Sequence, residues 1–489
     1  CCIASTMLVT HKLVLSVLFL VAWIGTASPL QDRTDQGLAR RKSKNSDTSH
    51  KEGDPGIFPG GKKSYERDGW RLLPPVTGSK IDNTTFKMDD KGTVLTTYIT
   101  ENFDPKKIKR VIVQTHGQYR DAWNQWIYAN LSLNDAVDNN NIAYDEVLLV
   151  APMFYSVVDR GAYPVDSNNV SSSHTLIWDD NGWGDCEDAI LPSYDSKGQL
   201  ANPDYIDGKS SNDKAQKRSD SSTHALSHAA LQRRSLAGAS NAEAQKKGPG
   251  ISILDVYDKL VDYFTDERKF PNVEKIVLSG FSMGAQSVNR YLALRTDTSK
   301  DSKIFYVMSS PASFMYVDEN RPNKVPKNCK DFNEYKYGLD GNMPNYYSRH
   351  KDGNSADDIR KRYLTRNQFY FVGNEDTSDA DNSCGANTQG SGHVDRMQNW
   401  VYKELPELAK ATNVADIEDT VAFHRVSKTT HDEHAVLSND QVQKVLFQAQ
   451  SAKELPMDPN PHNAASRSVH VSHLLTLTMA VVLIANTFV

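Results

Sequence analysis

The feature that most constrains the fold is a short apolar run that leads into a glycine-flanked serine and then into a helical pattern. Residues 275–280 read KIVLSG, and residues 281–294 continue as FSMGAQSVNRYLAL. This pattern predicts a buried strand followed by an amphipathic helix. Ser282 lies between Gly280 and Gly284, and this spacing is typical of a sharp and strained turn in which bulkier neighbours would clash. Such a turn lifts the hydroxyl clear of the sheet and points the first helical amides at a bound group.

Other apolar runs predict a mostly parallel sheet with helices on both faces. An alternating strand is predicted at residues 93–99, and buried-type strands are predicted at residues 111–113 and 147–150. Further strands are predicted at residues 303–308, 367–372 and 421–426. Helical patterns occur at residues 121–131 and 251–264, where Ser252 and Asp255 fit a helix cap, and a last helix is predicted after a Ser438 cap. Continuous apolar strands separated by helical patterns are typical of the α/β class.

The chain has 489 residues, which suffices for one large domain with extensions. Residues 1–27 are expected to be a signal peptide, with Met7 as the true start and cleavage after Ala27. Residues 28–67 read as a flexible leader, and residues 68–455 as the folded domain with a disordered insertion at about residues 196–250. Residues 456–465 read as a stalk with a GPI attachment region, and residues 466–489 as the GPI signal or a transmembrane anchor.

The terminal segments predict a protein outside the cell, tethered to a membrane or cell wall, and the cysteine content fits this location. The net charge of −5 offers no basic footprint for nucleic acid. Three cysteines remain in the expected mature chain, and we expect Cys329 and Cys384 to form a disulfide because both fall in loops at one end of the sheet. The partner of Cys186 stays open. Glycosylation sequons begin at Asn83, Asn130 and Asn169.

Two further groups follow strands in the order that a serine nucleophile needs. A serine requires a neighbouring base, and the base requires an orienting carboxylate. Asp376, or alternatively Glu375, follows one predicted strand, and His431, or alternatively His434, follows the last one. The two histidines also have the spacing of metal ligands on a helix, but no third ligand of suitable spacing stands near them. We therefore expect no metal and no cofactor.

An oxyanion formed during acyl transfer needs two preorganised donors. The first candidate is the backbone N–H of Met283, directly after the serine. The second is the amide of Gln118, in the sequence His116-Gly117-Gln118 that follows a buried strand. Gly117 would let the backbone approach a ligand closely.

At these residues the chain resembles the α/β-hydrolase superfamily, and within it the secreted or anchored hydrolases of fungi and related microbes, akin to polyhydroxyalkanoate depolymerase-type and feruloyl-type esterases. The matching stretches are VQTHGQYRDAW, PNVEKIVLSGFSMGAQSVNRYLAL, CKDFNEYKYGL, FYFVGNEDTSDADNSCGANTQG and THDEHAV, between about residues 93 and 450. The resemblance implies an α/β-hydrolase fold, with Ser282 as nucleophile, Asp376 as acid and His431 as base. It also implies an oxyanion hole near Gly117, Gln118 and Met283, and it supports the Cys329–Cys384 bridge. Thr430 stands where a glycine is common, which implies a less tight histidine loop.

The sequence thus predicts a serine hydrolase that cleaves a small-molecule or polymeric carboxylic ester through an acyl-enzyme. A peptidase of the same fold is the nearest alternative, and a non-catalytic surface or adhesion protein is the alternative from another class. A sugar platform formed by Trp178 and Trp183 is a weaker possibility. The identity of the substrate does not follow from the sequence.

Overall fold

The computed structural model describes residues 56–58, 69–140, 142–164, 174–194, 248–377, 381–413 and 417–461. The expected signal peptide, the C-terminal hydrophobic signal, Asn169, and nearly all of the expected leader and insertion lie outside the described residues. Within these ranges, none of the helices combines the length and the apolar character needed to cross a membrane.

An eight-stranded sheet organises the described residues. Its strands in chain order are β1 (Ser79–Asp82), β2 (Thr96–Thr100), β3 (Arg110–Thr115), β4 (Val147–Met153), β5 (Lys275–Phe281), β6 (Ile304–Ser309), β7 (Gln368–Gly373) and β8 (Val421–Val426). The spatial order is β1-β2-β4-β3-β5-β6-β7-β8, and β2 runs antiparallel to both of its neighbours while the other pairs are parallel. This is the strand order of the α/β-hydrolase fold, so the predicted fold class is confirmed.

Helices cover both faces of the sheet. They are α1 (Ala122–Asn140), α2 (Ile253–Phe264), α3 (Met283–Leu294), α4 (Asn345–Arg349), α5 (Ala356–Thr365), α6 (Cys384–Gln389), α7 (His393–Asn399), α8 (Leu405–Thr412), α9 (Glu433–Leu437) and α10 (Asp440–Phe447). One apolar core joins the sheet to α2, α3, α5, α7 and α8, and the second joins its other face to α1, α9 and α10. Strands β3 to β7 are therefore buried on both sides, which explains their largely apolar sequences, whereas β8 at the edge is buried only in part.

Local capping rules explain where two of these helices begin. Ser252 and Asp255 form the expected capping box at the start of α2. The predicted Ser438 cap is wrong by one residue, because the Asn439 side chain accepts the hydrogen bond of the Gln441 N–H at 3.0 Å. Ser438 instead ends α9. The short turn between α9 and α10 places both residues near a helix end, which sequence alone does not separate.

Two segments that were expected to lie outside the domain are packed onto it. The Ile57 N–H donates to Asn124 Oδ1 at 2.6 Å, and Phe58 is only 4% exposed. At the other end, the Asp458 N–H donates to the Phe423 carbonyl on β8 at 2.9 Å. The folded unit therefore includes parts of the expected leader and of the expected stalk.

Cys329 and Cys384 form a disulfide, with their Cα atoms 5.8 Å apart, as the sequence predicts. Cys186 is buried and outside this bridge. Of the sequon residues, Asn83 follows β1 and is partly exposed. Asn130 lies within α1, where its Oδ1 accepts a hydrogen bond from the Tyr144 hydroxyl at 2.5 Å.

Candidate active site

Ser282 occupies a strained turn between β5 and α3. Its backbone angles are φ 54° and ψ −117°, in a region that residues with a side chain rarely adopt. The Ser282 N–H donates to the Ser309 carbonyl at the end of β6, at 2.9 Å. Neighbouring strands therefore hold the strained residue in place, at the carboxyl edge of the parallel sheet.

The two glycines around Ser282 are required by close backbone contacts. A Cβ atom on Gly280 would lie 2.4 Å from the carbonyl carbon of Gly284. A Cβ atom on Gly284 would lie 2.5 Å from the Thr115 carbonyl oxygen and 2.6 Å from that of His116. Since backbone atoms cannot move aside cheaply, only glycine lets the turn rest against the end of β3.

The peptide between Gly117 and Gln118 is held in one orientation by its neighbours. Nε2 of the buried His116 accepts the Phe154 N–H at 3.1 Å, so the ring proton lies on Nδ1 and is donated to the Gly117 carbonyl at 2.9 Å. The Arg120 N–H donates to the same carbonyl at 3.2 Å. Because a trans peptide is planar, the Gln118 N–H points away from these donors.

Burial keeps His116 neutral and secures the loop that carries it. Desolvation lowers the pKa of His116 to about 3, so the single-proton tautomer persists at neutral pH. Arg120 is fully buried and forms a two-point ion pair with Asp159, at 2.7 and 3.1 Å, and it also donates to the Gln118 carbonyl at 3.2 Å. Both carbonyls that flank the Gln118 N–H are thus fixed by hydrogen bonds.

Gly117 lies directly against Ser282. A Cβ atom on Gly117 would be 3.5 Å from Ser282 Cβ and 4.0 Å from its Oγ. These are ordinary van der Waals separations. The glycine therefore leaves a methyl-sized space beside the hydroxyl, next to the amides of Gln118 and Met283. The Met283 amide belongs to the first turn of α3, whose N–H groups have no partner within the helix.

Asp376 and His431 form a hydrogen-bonded pair beyond β7 and β8. His431 Nδ1 lies 2.8 Å from Asp376 Oδ2, and the two side chains are 28% and 0% exposed. Burial alone would raise the pKa of Asp376, but the hydrogen bonds from His393 and His431 outweigh it and hold the pKa well below its usual range. Because the carboxylate is ionised, His431 donates from Nδ1, which leaves Nε2 free of a proton in the neutral ring.

The pair lies beside the serine turn. The His431 ring centroid is 4.6 Å from that of Phe281, the residue before Ser282. Within the described chain, no hydrogen bond joins the Ser282 hydroxyl to His431. Such bonds are often long before a substrate binds.

The acid loop and the histidine loop are joined by backbone contacts. The Asn374 N–H donates to the Val426 carbonyl at 2.8 Å, and the Glu375 N–H donates to the Thr429 carbonyl at 2.9 Å. A Cβ atom on Gly373 would lie 2.3 Å from the Thr429 oxygen. The histidine loop is therefore held by close backbone contacts to the acid loop, although Thr430 precedes the histidine. Lys428, at φ 55°, provides the left-handed residue instead.

The alternative residues lie elsewhere. The Glu375 side chain is exposed, on the outside of the loop. His434 lies on α9, with its ring 5.5 Å from that of Tyr128. Trp178 and Trp183 are fully buried and pack on the Phe154 ring, so they do not form a sugar platform.

His393, the first residue of α7, was missed by the sequence reasoning. Its Nδ1 lies 3.1 Å from Asp376 Oδ1, its side chain is 0% exposed, and its ring is 4.4 Å from that of His431 at an interplanar angle of 28°. No strand-end or spacing pattern marks this histidine. Only the folding of α7 over the acid loop brings it to Asp376.

The same cluster also has the spacing of a metal site. One candidate ligand atom from each of Asp376, His393 and His431 lies within 4.8 Å of the others. However, each histidine Nδ1 carries a proton that it donates to a different oxygen of the one carboxylate, and this hydrogen bonding accounts for the arrangement. Cys329 and Cys384, which lie near Asp331, are joined to each other.

No protein-family model and no curated protein matches this chain. Among solved structures, the chain is similar to the poly(3-hydroxybutyrate) depolymerase LpqC of Bordetella parapertussis, with 13% identity, 75% of this chain and 89% of that chain covered, and a TM-score of 0.41. It is also similar to poly(aspartic acid) hydrolase-1 of Sphingomonas sp. KT-1, with 15% identity, 76% of this chain and 98% of that chain covered, and a TM-score of 0.38. The siderophore hydrolase EstB of Aspergillus nidulans is similar with 11% identity, 77% of this chain and 98% of that chain covered, and a TM-score of 0.34. At these identities and scores, the likeness carries no argument about activity or substrate.

Proposed function

We propose that the protein is a serine hydrolase that cleaves a carboxylic ester, with Ser282 as nucleophile, His431 as base and Asp376 as the orienting acid. The observation that carries the proposal is the strained Ser282 turn beside a histidine that is hydrogen-bonded to a buried carboxylate, at one edge of the sheet. A non-catalytic fold has no need of backbone strain at a serine together with a fully buried carboxylate hydrogen-bonded to a histidine.

In the proposed reaction, Ser282 Oγ attacks the ester carbonyl carbon while His431 Nε2 accepts the hydroxyl proton. Asp376 keeps the ring proton on Nδ1 and stabilises the imidazolium that forms. The imidazolium then donates its proton to the alcohol oxygen as the ester C–O bond breaks. The alcohol departs, and the acyl group stays bound to Ser282. Water attacks this acyl group with His431 again acting as base, and the carboxylic acid is released.

The negative charge that develops on the carbonyl oxygen would be received by the backbone N–H groups of Gln118 and Met283. The locked orientation of the Gly117–Gln118 peptide supports this assignment, because a preorganised donor needs no rearrangement during the reaction. Loss of one such donor typically lowers kcat by about 10²–10³.

The test is hydrolysis of p-nitrophenyl acetate and butyrate by the purified protein and by its Ser282→Ala variant. The matched control is Ser302→Ala, because Ser302 is an exposed serine after α3. We expect Ser282→Ala to lose at least about 10³-fold in kcat/KM while Ser302→Ala keeps the wild-type rate. Equal rates for the two variants would refute the proposal, and faster cleavage of a matched p-nitroanilide would indicate a peptidase instead.

We further propose that the protein acts outside the cell on a small-molecule or polymeric ester, held at the surface by a GPI anchor. The disulfide between Cys329 and Cys384 supports an oxidising compartment, and the terminal sequences support the anchor. A phosphatidylinositol-specific phospholipase should release the esterase activity from intact cells. Activity that remains with the cells or is found in the cytosol would contradict this location.

A further inference from the structure

We propose that His393 is a positioning residue of this site, which fixes the second oxygen of Asp376 and supports the ring of His431. The inference rests on the proposed function, since it assigns a role within that reaction. In this role His393 acts through its two neighbours, Asp376 and His431.

The first part of the argument is the division of the carboxylate. His393 Nδ1 lies 3.1 Å from Asp376 Oδ1, and His431 Nδ1 lies 2.8 Å from Asp376 Oδ2. Each oxygen thus has its own N–H donor. With Oδ1 held by a fully buried ring, the carboxylate cannot rotate about its Cβ–Cγ bond without breaking a charge-assisted hydrogen bond, so Oδ2 stays directed at His431.

The second part is the rigidity of the support. The Val394 N–H donates to the backbone carbonyl of Asp376 at 3.2 Å, which ties the start of α7 to the acid loop. Arg396, also on α7, is buried and donates to the carbonyls of Ala312 and Gly390 at 2.8 and 3.0 Å. His393 therefore belongs to a helix that is fixed on both sides, as a support for a reacting group requires.

The third part explains why a histidine, rather than another donor, suits this position. The His393 and His431 rings lie face to face, with centroids 4.4 Å apart. Burial lowers the pKa of His393, and the neighbouring His431 and Arg396 also disfavour its charged form, while Asp376 opposes this. A neutral ring offers both a proton for Asp376 and an aromatic face for the imidazolium that His431 becomes during the reaction.

A third histidine–aspartate pair, more exposed than that of His393, provides a control in the same chain. His424 Nδ1 lies 3.0 Å from Asp458 Oδ1 at the outer edge of β8, away from the serine turn. The two pairs share the same donor atom and the same acceptor type. Substitutions at His424 therefore report the effect of losing a histidine–aspartate hydrogen bond that lies outside the candidate active site.

The experiment separates the donor from the ring. His393→Asn keeps an N–H donor near the position of Nδ1 but removes the ring, whereas His393→Phe keeps a ring and removes the donor. His393→Ala also lacks the donor, and it is used in place of His393→Phe if His393→Phe does not fold. His424→Asn and His424→Phe are the controls, and Tm, kcat, KM and the pH profile of kcat/KM are measured for each protein.

We expect His393→Phe to lower kcat by about 10- to 100-fold with little change in KM, because a charge-assisted hydrogen bond is lost from Asp376. The acid limb of the kcat/KM profile should move to higher pH, because the charge on Asp376 is then shared with one hydrogen-bond donor instead of two. His393→Asn should keep the wild-type acid limb, and the His424 variants should keep wild-type kinetics.

The outcomes distinguish this inference from the proposed function. If Ser282→Ala retains activity, the proposed function fails first. If Ser282→Ala is inactive while His393→Phe and His393→Ala show wild-type kcat and an unmoved acid limb, only the role of His393 is refuted. Equal losses in His393→Asn and His393→Phe, with an unmoved acid limb, would show that the residue only packs, and this would also overturn the inference.

Discussion

Replacement of Gly117 by alanine should make the protein more stable and much less active. The backbone of Gly117 is outside the positive-φ region, and the new Cβ would meet Ser282 Cβ at 3.5 Å and the Phe281 carbonyl oxygen at 3.6 Å, both ordinary contacts. Alanine therefore fits the folded state while it restricts the unfolded chain. The expected gain in free energy of unfolding is about 0.4–1 kcal/mol.

The same methyl group would lie 4.0 Å from Ser282 Oγ. It would also stand directly before the Gln118 N–H, which is the proposed oxyanion donor. A carbonyl oxygen must come within about 2.7–3.1 Å of that amide. The methyl group occupies part of this approach, so the loss should resemble removal of one donor. We expect kcat/KM to fall by about 10²–10³, which corresponds to about 2.7–4 kcal/mol.

The assay combines hydrolysis of p-nitrophenyl acetate with urea unfolding of the same preparations. A Gly117→Ala protein that is folded and hydrolyses the ester within about threefold of the wild-type rate would show that the oxyanion is not stabilised at this place. A large loss of stability would show that the described contacts around Gly117 are wrong.

Three further predictions concern stability. Gly284→Ala should lose about 1–3 kcal/mol or more in urea unfolding, because its Cβ would lie 2.5 Å from a backbone oxygen; an unchanged urea midpoint would contradict the close contact. The double variant Cys329→Ser with Cys384→Ser opens a loop of 55 residues and should lose about 4 kcal/mol, whereas a loss below about 1 kcal/mol would argue against the bridge in the purified protein. Burial raises the pKa of Glu404 from 4.5 to about 8, so the folded state holds a proton that the unfolded state releases. The free energy of unfolding should therefore fall as pH rises from about 4.5 to 8. Glu404→Gln should flatten this pH dependence, and a variant with the same slope as the wild type would refute the prediction.

The serine turn could be predicted from sequence because its causes are local. Gly280 and Gly284 are set by contacts within one strand–turn–helix unit and with the adjoining strand, and Ser252 and Asp255 cap a helix three residues apart. The α/β class followed in the same way from apolar strands between helical patterns. Such signals depend on neighbours along the chain and not on the final arrangement.

The support around the site could not be predicted because it depends on distant partners. Arg120 meets Asp159 across 39 residues, and no periodicity links them. His393 reaches Asp376 only because α7 folds over the acid loop. The same holds for Asp458, which reads as part of a polar stalk but hydrogen-bonds to the exposed edge of β8. Sequence thus indicated the residues that meet beside the serine turn better than it indicated the residues that hold them in place.

The most direct test is covalent labelling with a fluorophosphonate, followed by peptide mass spectrometry. The reagent reacts with a serine only where the hydroxyl is activated by a base and the new oxyanion is stabilised. We predict one adduct, on the peptide that contains Ser282, and no adduct in Ser282→Ala. An actively hydrolysing protein that takes no label, or takes it only on another residue, would contradict the assignment of Ser282 as the nucleophile.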